Sequence, residues 1–68
     1  MQKYAALWEH ISRQDMAHLQ LHFAEIEQIL GFPIDHSFLT YKKELTAYGW
    51  QVSKISMKNQ TVDFKKLP

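Results

Sequence analysis

The chain has 68 residues, is 46% hydrophobic and 13% aromatic, and carries a formal net charge of +1 with no cysteine. That length suits one small domain over residues 1–68, whose folding hides only about 60% of the unfolded surface. A disulfide framework and a thiolate metal site are excluded. No apolar run approaches the roughly 20 residues of a membrane span.

The first predicted element is a helix over Gln2–Ser12. Tyr4, Leu7, Trp8 and Ile11 fall at i, i+3, i+4 and i+7 and make one apolar stripe. In residues 17–23, AHLQLHF, Leu19, Leu21 and Phe23 alternate with His18, Gln20 and His22, the period of a half-buried strand. A second helix follows directly, over Ala24–Leu30, with Phe23, Ile26, Ile29 and Leu30 on its buried side. Gly31 is a natural residue to end it, and Pro33 prevents its continuation.

Asp35 is the predicted N-cap of a third helix running to Tyr48, with Ile34 and Leu39 as a hydrophobic staple. Its predicted buried stripe is Phe38, Tyr41, Leu45 and Tyr48, and Gly49 ends it. The final element is a hairpin, with Trp50–Val52 in one strand and Thr61–Phe64 in the other. Ile55 and Met57 are out of phase with Trp50 and Val52, which calls for a bulge or a strand leaving the core. In the connection, Asn59 is the residue expected to tolerate positive φ.

The order is thus helix, strand, helix, helix, strand, strand. It predicts an α+β fold of the winged helix-turn-helix type, with a small antiparallel sheet and the hairpin loop as the wing.

The run from Leu19 to Gly31, L-x-L-x-F-A-E-I-E-x-I-L-G, is followed by G-W-x-V at Gly49–Val52 and T-V-x-F at Thr61–Phe64. Together with Lys3, Tyr4 and Leu7 these motifs resemble a family of small uncharacterised bacterial domains. The resemblance spans nearly the whole chain and implies scaffold roles for Phe23, Glu25, Ile26, Ile29, Gly31 and Trp50. It implies no activity. Two departures stand out: relatives usually carry Thr or Ser where His22 stands, and a longer tryptophan-rich stretch before the third helix.

Chemistry-bearing residues are sparse. Glu25 and Glu27 project about 200° apart on a helix and cannot share one substrate as acid and base. His18 and His22 have the H-x-x-x-H spacing of a zinc helix, but on a strand they stand about 13 Å apart. None of Ser12, Ser37, Ser53 and Ser56 has the context of a nucleophile. Neither an enzyme nor a cofactor is expected.

Charge is asymmetric. Residues 1–34 sum to −2, whereas residues 35–68 sum to +3 through Lys42, Lys43, Lys54, Lys58, Lys65 and Lys66. A basic half of this kind hints at an anionic partner. His36, Thr40, Lys42, Lys43 and Thr46 on the third helix, with Lys54, Lys58, Asn59 and Gln60 at the wing, are the candidate duplex-DNA contacts. The competing expectation is a protein-interaction module: a homodimer, a complex subunit, or a phage-type inhibitor of a nucleic-acid enzyme. Phe32, Leu39 and Met57 are the apolar residues a small core would leave over for that purpose. The protein is expected in the cytoplasm, away from membranes, since MQKYAALWEHISRQ lacks the apolar region of a secretory signal.

Overall fold

The apolar stripe at the start of the chain becomes helix α1 (Ala5–Ser12) in the computed structural model, which describes residues 3–68. Tyr4, Leu7, Trp8 and Ile11 are all fully buried. The predicted start at Gln2 lies outside the described residues. Strand β1 (His18–His22) turns Leu19 and Leu21 inward and leaves His18, Gln20 and His22 exposed, as period-two alternation requires.

Helix α2 (Phe23–Leu30) begins with no intervening residue. With His22 at the N-cap, Glu25 reaches back: its Oε1 accepts the His22 backbone N–H at 2.9 Å. That is the glutamate half of a capping box. Ile26 is the fully buried residue of this helix, with Phe23, Ile29 and Leu30 packed half-buried beside it. Gly31 closes it at φ 85°, donating its N–H to the Glu27 carbonyl at 2.7 Å. Only glycine enters that left-handed region without cost.

The predicted third helix is interrupted. Helix α3 spans only Ser37–Tyr41, and Lys42–Tyr48 forms a 3-10 helix. The change of pitch resets which residues face inward. At three residues per turn Lys42, Leu45 and Tyr48 stack on one edge. Leu45 is buried, while Lys42 and Tyr48 are half-buried. Tyr41, predicted in the core, is 41% exposed instead. The N-cap position also falls one residue later than predicted. His36 holds the N-cap position, while Asp35 Oδ1 accepts the Ser37 backbone N–H at 2.9 Å.

Strands β2 (Trp50–Ser56) and β3 (Thr61–Lys66) form the hairpin, and β3 lies between β1 and β2 in an antiparallel sheet. The inner face is set by two rows: Leu19, Phe64 and Val52 in one, Leu21, Val62 and Ile55 in the other. The register shifts between Val52 and Lys54, so Ser53 is the extra residue of a bulge. This bulge is what brings Ile55 back to the inner face, and it answers the phase conflict seen in the sequence. In the turn, positive φ falls on Gln60 at 55°, not on Asn59. The Gln60 carbonyl accepts the Phe23 N–H at 2.8 Å, so the start of α2 holds the turn in that shape.

Among the described residues the architecture is α+β: three helices, the 3-10 helix and one three-stranded antiparallel sheet. The core between them is aromatic. Tyr4 is its hub, with ring centroids 5.6 Å from Trp8, 5.9 Å from Phe32 and 5.6 Å from Phe38. No helix among the described residues is long and apolar enough to cross a membrane.

Candidate docking face on the third helix and hairpin

Two polar clamps fix α3 and the 3-10 helix against the core. In the first, the Tyr4 hydroxyl bonds Ser37 Oγ at 2.8 Å, and Ser37 Oγ donates to Asp35 Oδ1. Lys3 Nζ approaches Asp35 Oδ2 at 3.5 Å. The Ser37 hydroxyl and backbone N–H, with the Lys3 ammonium nearby, hold the Asp35 carboxyl down from 3.8 to about 2. In the second clamp, the buried Trp8 indole N–H donates to Glu44 Oε1 at 3.1 Å. This gives the 3-10 helix its attachment to α1.

The candidate contact residues are then spread over three places. His36 and Thr40 are exposed on α3. On the 3-10 helix Lys43 and Thr46 are exposed, three residues apart and so on one edge, but the Thr46 hydroxyl is already donated to the Lys43 carbonyl at 2.8 Å. Lys42, expected at the flank of this face, is half-buried on the edge it shares with Leu45. Lys58, Asn59 and Gln60 are exposed in the hairpin turn, whereas Lys54 sits on the outer sheet face opposite Asp63.

The hairpin turn comes down beside the start of α3. Between them lies a groove of about 390 Å³, with Phe23, Ile34, Phe38, Leu39 and Met57 as its apolar lining and Asp35 and His36 on its rim. It runs on past Phe23 and Ile34 into a second hollow of about 300 Å³ flanked by Ala24, Glu27, Pro33 and Gln60. Leu39 is 52% exposed and Met57 75% exposed. Ile34 and Leu39, the two residues of the predicted staple, both line this groove. Phe32, by contrast, is absorbed, half-buried against Tyr4 and under the Lys3 ammonium at 5.3 Å.

A wider hollow of about 480 Å³ lies on the outer sheet face over His18, Gln20, Ser53, Asp63 and Lys65. Three of its polar residues are matched to one another: Gln20 Nε2 donates to Asp63 Oδ1 at 2.8 Å, and Ser53 Oγ donates to the Asp63 carbonyl at 3.3 Å. Among the described residues, no group of three His, Asp or Glu side chains is placed to hold a metal ion. Glu25 is occupied with the His22 backbone, and Glu27 stands exposed at the groove. No protein-family model matches this chain, and neither a curated protein nor a solved structure matches it.

The sequence carried only part of this face. The surplus apolar residues Leu39 and Met57 were visible as such. Their meeting with Phe23 and Ile34 was not, because it depends on the turn folding onto α2.

Proposed function

We propose that the domain is a non-catalytic, cofactor-free cytoplasmic module of the winged-helix type that docks a protein partner on the groove between α3 and the hairpin. The winged-helix reading is supported by the element order and by the central place of β3, which sets a hairpin beside a pair of short helices. The observation that carries the docking reading is the exposure of Leu39 and Met57 around an apolar groove. On a helix meant to enter a DNA groove the Leu39 position would be polar or basic. Exposed apolar surface rimmed by polar groups is the usual mark of a protein contact.

Duplex DNA is the second reading, and a specific observation favours it. Lys43, Lys54 and Lys58 are exposed, and among the described residues none of them is in an ion pair. Free ammonium groups of this kind bind phosphate and release counterions.

One experiment separates the two. A photo-crosslinking amino acid is placed at Leu39 and, as a control, at Lys65 on the outer sheet face, in cells making the full chain. Docking predicts protein adducts from position 39 and few from position 65. Adducts to DNA from position 39 would support the second reading, and equal labelling from both positions would refute the docking face.

A further inference from the structure

Resting on the docking reading, we infer that Met57 is an oxidation site, and that its conversion to the sulfoxide by peroxide closes the groove to its protein partner. Met57 is 75% exposed, the most open of the large apolar side chains among the described residues. It also lines the groove, beside Phe23, Ile34, Phe38 and Leu39. A thioether in such a place is an adaptable contact for a partner. It is equally open to a small oxidant in the surrounding water. Met16 is the internal comparison: it is 47% exposed and takes no part in the groove lining.

The thioether is held where its oxidation matters. The turn that carries it is pinned twice: Ser56 Oγ accepts the Asn59 backbone N–H at 3.2 Å, and the Gln60 carbonyl accepts the Phe23 N–H at 2.8 Å. Met57 lies in the chain between Ser56 and Gln60, so it stays beside the groove when its sulfur changes.

Hydrogen peroxide is the oxidant class. The sulfur lone pair attacks one peroxide oxygen, an S–O bond forms and the O–O bond breaks. The second oxygen leaves with the proton of the first and becomes water. Sulfur gives up two electrons and peroxide takes them. A sulfoxide reductase drawing on a thiol donor returns the oxygen as water, so the step is reversible. The product replaces an apolar contact by a polar S=O group. The four apolar neighbours Phe23, Ile34, Phe38 and Leu39 offer it no side-chain hydrogen-bond donor. Covering that oxygen with a partner's apolar surface is therefore unfavourable. A docked partner in turn shields the thioether, so docking and oxidation oppose each other.

The test has two arms. In the first, the purified full chain is treated with limiting hydrogen peroxide, and the peptides holding Met57 and Met16 are followed by mass spectrometry. Met57 should gain one oxygen about twofold faster than Met16, or more. In the second, the photo-crosslinking amino acid at Leu39 reads the groove in cells with and without a peroxide pulse. Protein adducts should fall about tenfold after the pulse. Met57→Leu keeps an apolar contact that peroxide leaves unchanged, and its adducts should persist. Met57→Gln places a polar group there permanently, and its adducts should be low in both conditions. Circular dichroism confirms that each variant is folded. Oxidation of Met16 as fast as Met57 or faster overturns the site. Adducts that survive Met57 oxidation, or that peroxide removes equally from Met57→Leu, overturn the switch and leave the docking face standing. Equal labelling from positions 39 and 65 before the pulse overturns the docking reading and the switch with it, while the order of oxidation still decides the site.

Discussion

Replacing Glu44 by Ala removes the acceptor of the Trp8 indole N–H, which is held at 3.1 Å in a side chain with no solvent exposure. The loss has two parts: the hydrogen bond to a charged group, and the desolvation of a donor left inside the core. Stranding such a donor costs about 1–3 kcal/mol. We take ~2 kcal/mol, because half-buried Glu44 leaves room for water to soften the loss. A domain of 68 residues has about 3–10 kcal/mol of stability in total, so this one change removes a large share. The melting temperature should fall by about 8–16 °C. Glu44→Gln keeps an oxygen in place and should cost under about half as much. Urea unfolding followed by circular dichroism measures both, with Trp8→Phe completing a double-mutant cycle. If Glu44→Ala unfolds within ~0.5 kcal/mol of the parent, or if Gln is as damaging as Ala, the clamp has no energetic role.

Asp35 makes stability depend on pH. Its carboxyl is lowered from 3.8 to about 2 in the fold, so the stabilisation is complete above pH 4 and is lost as pH falls toward 2. Asp35→Asn should lack that acid limb, and thermal melts at a series of pH values would show parallel curves if the premise is wrong. Gly49 sits at φ 83° with no atom near the position a Cβ would take. Gly49→Ala should therefore cost about 1–2 kcal/mol from backbone conformation alone, and Gly49→Asn less. Equal loss from the two substitutions would point to an unseen clash.

Much of the scaffold was legible because it rests on local rules. Tyr4, Leu7, Trp8 and Ile11 repeat at helical spacing, and all four are buried. Leu19 and Leu21 alternate with polar residues and face inward from β1. Gly31 and Gly49 occupy the left-handed positions that end their helices. The phase error at Ile55 called for a bulge or a strand leaving the core, and a register shift lies just before it. What stayed hidden depends on residues far apart in the chain. The 3-10 helix is fastened to α1 through Trp8 and Glu44, 36 positions apart. No local pattern announces such a bond, and with the change of pitch Tyr41 moved outward and Lys42 inward. Positive φ at Gln60 follows from the Phe23 N–H reaching its carbonyl, again a long-range contact. The candidate face shares this dependence. Its apolar members were countable in the sequence, but the groove exists only because the turn folds onto α2.

The central position of β3 has a consequence for how the molecule comes together. β1 and β2 never touch as neighbours in the sheet, and each pairs only with residues 61–66. His18 must find Lys65 and His22 must find Thr61 across most of the chain. Helices α1 and α2 can form earlier, yet the three-stranded sheet cannot be complete until β3 is in place. Folding should therefore be a single late event with a slow search, and a chain cut before Thr61 would lose both edge strands at once.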